Sequence, residues 1–89
     1  MRLSVAGELD RATVPRFRRA IADLDDPHHL ILDLDELEFI DADGLRSIVD
    51  IARTAKRSGR LVQLANPNAM LRRLFTLTGL ERSVELVHD

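Results

Sequence analysis

Four aspartates, Asp33, Asp35, Asp41 and Asp43, hold most of the chemistry this sequence could perform. Two of them sit in "FIDADGL", residues 39–45, with one alanine between them and a glycine and a helical apolar pattern behind. Carboxylates so placed could ligate calcium or magnesium, accept a phosphoryl group, or cap a helix. The calcium loop fails on its ligand positions. With Gly44 as the sixth residue of such a loop, Phe39 falls on the first ligand position and Asp50 on the twelfth, where a longer bidentate glutamate is needed. A magnesium or phosphoryl-accepting site asks for a convergent lysine or serine, and the sequence offers none. There is no glycine-rich phosphate loop and no local Ser-His-Asp arrangement. His28 and His29 are neighbours in a turn-like stretch, and His88 is next to the last residue. The expectation is therefore no catalytic residue, no metal site and no cofactor. Capping remains: Asp43 stands before the helical pattern, where a carboxylate accepts from free N–H groups and suits the helix dipole. Asp41 then forms the turn or binds loop backbone.

The elements that must hold these residues can be read from the apolar spacing. "RLSVAGEL" alternates Leu3, Val5, Gly7 and Leu9 and predicts one strand. Thr13 and Pro15 predict a helix start, and Val14, Phe17, Ile21 and Leu24 share its inner face. "DDPHH" breaks that helix, and "LILDL" predicts a strand buried on both faces. "DELEF" carries the chain out to the acidic stretch. From Gly44 onward Leu45, Ile48, Val49, Ala52 and Ala55 keep helical spacing, until Ser58-Gly59 stops them. "RLVQLA" is a strand, and Asn66-Pro67 opens a third helix with Met70, Leu71, Leu74, Phe75 and Thr78 facing inward, closed by Gly79. "SVELVH" is a last strand. Strands alternating with helices predict an α/β fold, a four-stranded, mostly parallel sheet with three or so flanking helices. In such a sheet ligands and partners meet the carboxyl ends of the strands, which places the acidic stretch after "LILDL".

Composition sets the outer bounds. At 89 residues the chain is expected to be a single domain over 1–89 with a thin stability margin. Hydrophobic residues make up 45% and aromatics only 3%, so an aliphatic core is expected. No cysteine is present, which excludes disulfides and thiolate metal sites and suits a reducing cytoplasm. The formal charge of −2, from 13 basic and 15 acidic side chains, points to neither nucleic acid nor an anionic membrane as partner. No apolar run is long enough to cross a bilayer.

"LSVAGELD", then "LILDLDELEFIDADGL", then "GRLVQLANPNAMLRRLFTLTGL", in that order and spacing, resemble the STAS domain over nearly the whole chain. The resemblance implies a cytoplasmic protein-binding module without catalysis, most specifically an anti-sigma factor antagonist in bacterial transcription control. Two other functions stay open: a scaffold subunit in an assembly with other STAS proteins, and a sensor for a small ligand or nucleotide. The implied partner of the first is an anti-sigma factor that is also a serine kinase. In the family the stretch matching "IDADGL" usually reads Asp-Ser-Ser-Gly-Leu, and the resemblance places the regulatory serine, the second, at Asp43. Ala42 holds the place of the first. The partner and switch region then comprises Asp41, Ala42, Asp43, Gly44, Leu45 and Arg46, with Asp10 at the end of "LSVAGELD". Thr13, Ser47 and Thr54 remain as hydroxyl acceptors elsewhere, each expected to be structural. The resemblance further implies a strand before "LSVAGELD" and a helix after the last strand. Without them an exposed sheet edge and a less covered face would favour self-association.

On the outer face of the second helix Arg46, Asp50, Arg53 and Arg57 recur at three- and four-residue spacing. Local ion pairs in solvent are the expectation. As a docking face beside Asp43, the Asp50, Arg53 and Arg57 part of it would meet an acidic partner.

Overall fold

The computed structural model describes residues 1–24 and 29–89. Within them run β1 (Arg2–Ser4), β2 (Gly7–Leu9), α1 (Val14–Ala22), β3 (His29–Asp33), β4 (Leu37–Ile40), α2 (Ala42–Arg57), β5 (Leu61–Ala65), α3 (Ala69–Thr78), a 3-10 turn (Leu80–Arg82) and β6 (Glu85–Val87). Most of "DDPHH", including His28, lies outside the described residues. The main sheet has the order β1-β3-β5-β6, with every pairing parallel. This is the four-stranded parallel α/β architecture with three helices that the apolar spacing predicts.

Two strands differ from expectation. "RLSVAGEL" is not one strand but two. Val5 still donates to the Asp33 carbonyl, but Gly7 adopts a φ of +73°, which lets the chain leave β3 and bond to Glu36. Beyond that turn β2 pairs in parallel with β4, forming a separate two-stranded ribbon. "DELEF" therefore ends in a strand, not a simple exit loop. Its signal is weak because the register shifts between Gly7 and Glu8, so burial along Leu37–Ile40 does not alternate.

Leu30 and Leu32 of β3 and Val62 and Leu64 of β5 are buried together with Phe17, Ile48, Ala52, Leu71 and Phe75, one from each helix face at least. The expectation of a β3 buried on both faces fails. Burial alternates along it: His29 is exposed and Ile31 and Asp33 are half-buried, so the second face of the sheet is partly open. On α3, Leu71 and Phe75 are buried and Leu74 half-buried, whereas Met70 and Thr78 are exposed, not inner residues. The cap of α3 is Asn68, whose side chain accepts from Leu71 N at 2.8 Å, and not Asn66. Asn66 instead takes a left-handed φ of 57° and ties β5 to β6 by donating to the Val87 carbonyl. Gly79, at φ +75°, closes α3 as expected.

At the carboxyl ends of these strands lies a polar network. Arg2 contacts Asp33 at 3.0 Å and Asp89 at 2.8 Å, and Asn66 donates to Asp89 at 2.8 Å. Arg2 first, then Asn66, hold the Asp89 carboxyl down to about 2. Asp33 is lowered too, by the backbone N–H of Asp35 first and then by Arg2 and Asn66. A carboxyl lowered on folding stabilises the fold above its ordinary value of 3.8, and for Asp89 this contribution is lost as pH falls through about 2. Arg2→Met should therefore lower the melting temperature at neutral pH, with the gap to wild type closing as pH drops towards 2. Parallel melting curves that keep a constant gap would show that the network is not what titrates. Among the described residues no helix is long and apolar enough to cross a membrane.

Candidate functional site

The acidic stretch is built from the ribbon outward. It follows the carboxyl end of β4, beside the end of β2, and not the end of β3 as expected. Helix α2 begins at Ala42, ahead of Gly44, because the cap is Asp41 and not Asp43. Asp41 is extended (φ −104°, ψ −174°), and its Oδ1 accepts from Gly44 N at 2.8 Å. Its Oδ2 accepts from the backbone N–H of Arg11 at 3.0 Å, and its own N–H donates to the Leu9 carbonyl at 3.2 Å. One carboxylate thus ties the helix start to the loop after β2.

Asp10 organises that loop. Its Oδ1 accepts from Ala12 N at 2.9 Å and Thr13 N at 3.0 Å. The backbone N–H of Thr13 does most to hold this carboxyl below its usual range, followed by the Thr13 hydroxyl and Ala12 N–H, against some desolvation. Thr13 does not cap α1 through its side chain, as expected of it; its hydroxyl donates to the Glu8 carbonyl and accepts from Asp10 N. The start of α1 is held by the Asp10 carboxylate in the manner of an Asx turn.

What remains on the surface is a short acidic prow. Ala42 and Asp43 are exposed in the first turn of α2, and Arg46 is exposed one turn on. Leu45 is half-buried, packed on the core, and Gly44 is buried. Asp43 adds a formal charge to the positive end of the helix dipole. Phe39 on β4, two residues before Asp41, is 46% exposed. Sequence reasoning missed it, because a stretch read as a loop gives no face on which to place an aromatic ring. The nearest signal was the acidic setting of Glu38 before it and Asp41 two residues after it, which argues against burial.

The hydroxyl inventory changes as well. Ser47 is fully buried and its Oγ donates to the Gly44 carbonyl at 2.6 Å, so it is no accessible phosphate acceptor. Asp33 belongs to the Arg2 network at the carboxyl ends of the main sheet's strands, where the Asp35 backbone N–H donates to it at 3.1 Å. Among the described residues no three His, Asp or Glu side chains converge as metal ligands would. His29 contacts Gln63 at 2.7 Å on the open sheet face. The outer face of α2 is divided: Asp50 pairs with Arg18 of α1 at 3.0 Å, while Arg53 and Arg57 line a depression beside Ser83.

The cap assignment has a direct check. Asp41→Ala should cost about 1–2 kcal/mol and Asp43→Ala less than about 1, since only the first removes hydrogen bonds to orphan N–H groups. Urea midpoints that rank the two the other way would return the cap to Asp43.

The fold agrees with what similar proteins show. The family model for the STAS domain matches residues 1–89. The chain is 31% identical, over 98% of its length and 75% of the relative's, to the anti-sigma-F factor antagonist RsfB of Mycobacterium tuberculosis. It is 28% identical to the anti-sigma-B factor antagonist of Bacillus subtilis, over 97% of this chain and 80% of that one. A Thermotoga maritima crystal structure, assigned as an anti-sigma factor antagonist, superposes with a TM-score of 0.88 at 28% identity, covering 99% of this chain and 77% of that one. The chain belongs to the STAS domain family.

Proposed function

We propose that this protein is an anti-sigma factor antagonist that acts by binding, without chemistry of its own, in the bacterial cytoplasm. The observation that carries this reading is an exposed helix start bearing a carboxylate, Asp43 on α2, in a chain about 30% identical to two proteins of that function over most of its length. The partner is an anti-sigma factor of the serine-kinase type. Its docking face on this protein is the Asp10 loop, the first turn of α2 from Asp41 to Arg46, and Phe39. The half-exposed ring supplies the apolar anchor that small interfaces concentrate their energy on. Asp41 and Asp10 act on the partner indirectly, by fixing the backbone on which Asp43 is carried.

No hydroxyl is present at either Ala42 or Asp43, so a serine kinase finds no acceptor at the helix start. A phosphoserine there would bring about −1.5 to −2 charges and three acceptor oxygens, whereas aspartate brings one charge and a shorter reach. Both suit a helix N-terminus. The charge at this position is therefore not switched by a serine kinase, and the partner is adapted to it or is released by other means.

The test is reconstitution. The purified protein is mixed with the anti-sigma factor of its own source and with ATP, and complex formation and phosphate transfer are followed. A stable complex with no transfer to the wild type supports the reading. Ala42→Ser and Asp43→Ser report which position the kinase can reach. No complex under any nucleotide condition, with capture of other STAS chains instead, would favour the scaffold function.

A further inference from the structure

At the far end of α2 the surface has the opposite charge. Two adjoining depressions, of about 530 and 190 Å3, share Lys56 and Ser83 and form one groove. Arg53, Lys56 and Arg57 line the first, and Arg60 and Arg82 join Lys56 along the second. Among the described residues the only acid lining either is Glu85. None of these five cations forms an ion pair among the described residues, where the pairs are made by Arg2 and Arg18. The whole chain carries −2, so this is a local concentration and not a consequence of a basic protein.

Helix-end electrostatics explains only part of it. Lys56 and Arg57 lie in the last turn of α2 and complement its dipole. Arg60 and Arg82 lie outside the helix, and its terminal carbonyls already accept from the backbone N–H groups of Ser58, Gly59 and Arg60. Repulsion among the cations is a cost that folding alone does not require.

We propose that this groove is a second docking surface, and that it takes an acidic polypeptide segment. Three features favour polypeptide over nucleic acid. No aromatic side chain lines the groove on which bases could stack. Leu61, 41% exposed, and Val84 give the second depression an apolar floor for a side chain between acidic residues. Glu85, which lines the second depression, is the first residue of the outer strand β6, where an extended chain can continue on backbone hydrogen bonds and a phosphate chain would meet a negative charge. Along α2, Lys56 at the middle of this surface is thirteen residues from Asp43, about 20 Å. The proposal is therefore independent of the anti-sigma reading.

The probe is a fluorescent peptide of alternating glutamate pairs and single leucines, followed by anisotropy at low salt with the intact protein. The wild type should bind it, and added salt should weaken the binding. Lys56→Glu with Arg82→Glu should lower affinity at least about tenfold, with Lys56→Gln and Arg82→Gln as the milder pair should charge reversal disturb the fold. Asp43→Asn should leave it unchanged. Absence of peptide binding, equal loss in Asp43→Asn, or tighter binding of a thymidine oligonucleotide or of anionic vesicles would each overturn the proposal.

Discussion

Ile48→Asp should leave no folded protein at room temperature. Ile48 is fully buried on α2 among Leu9, Leu32 and Leu64 in the aliphatic core. An aspartate there loses the apolar contacts and sets an unpaired carboxylate in a site with no partner, together costing about 4 kcal/mol or more. A chain of 89 residues has about 4–13 kcal/mol to lose, at roughly 0.05–0.15 per residue. Far-ultraviolet circular dichroism should show loss of helix and strand. A variant that melts within a few degrees of wild type would mean that α2 does not face the sheet as described.

Gly44→Ala should destabilise by about 3 kcal/mol or more, although alanine is the better helix former. The residue is within α2, and its φ is not in the left-handed region, so backbone freedom is not the reason for glycine. Space is the reason. A Cβ would lie well inside contact distance of the Leu9 carbonyl oxygen, 2.9 Å from its carbon and 2.8 Å from Ile40 Cγ1. Two of these atoms are backbone and cannot rotate away. The same Leu9 carbonyl accepts from Asp41 N, so relieving the clash pulls the helix start off the ribbon. Denaturant unfolding of Gly44→Ala measures this. A neutral or stabilising result would show that the helix and ribbon are not so closely joined.

Where one physical cause dominated, the sequence was a sufficient guide. Phe17, Ile48, Ala52, Leu71 and Phe75 were legible as core because burial imposes the helical period. Gly59 and Gly79 were legible as stops because a left-handed φ, here +72° and +75°, favours glycine. Where two residues could do the same job, the choice was not local. Asp41 and Asp43 both suit a cap; Asp41 holds it because its second oxygen also meets Arg11 N, a contact thirty residues away in sequence. Asn66 and Asn68 flank one proline, and the pairing of β5 with β6 sets Asn66 in a left-handed turn and leaves the cap to Asn68. The ribbon of β2 and β4 was hidden for the same reason: it exists through a long-range pairing with a register shift, which no short pattern records. Of the site, the charged helix start was visible in the sequence, but the exposure of Phe39 and the burial of Ser47 depend on tertiary packing.

The central claim is that the fixed carboxylate of Asp43 belongs to the partner interface. Calorimetric titration of the cognate anti-sigma factor into wild type and into Asp43→Asn, with melting temperatures taken alongside, tests it most directly. The expected result is a change in affinity of about tenfold or more, equivalent to about 1.4 kcal/mol, with the melting temperature nearly unaltered. Equal affinities for two equally stable proteins would contradict it and leave Asp43 as a residue that only complements the helix dipole.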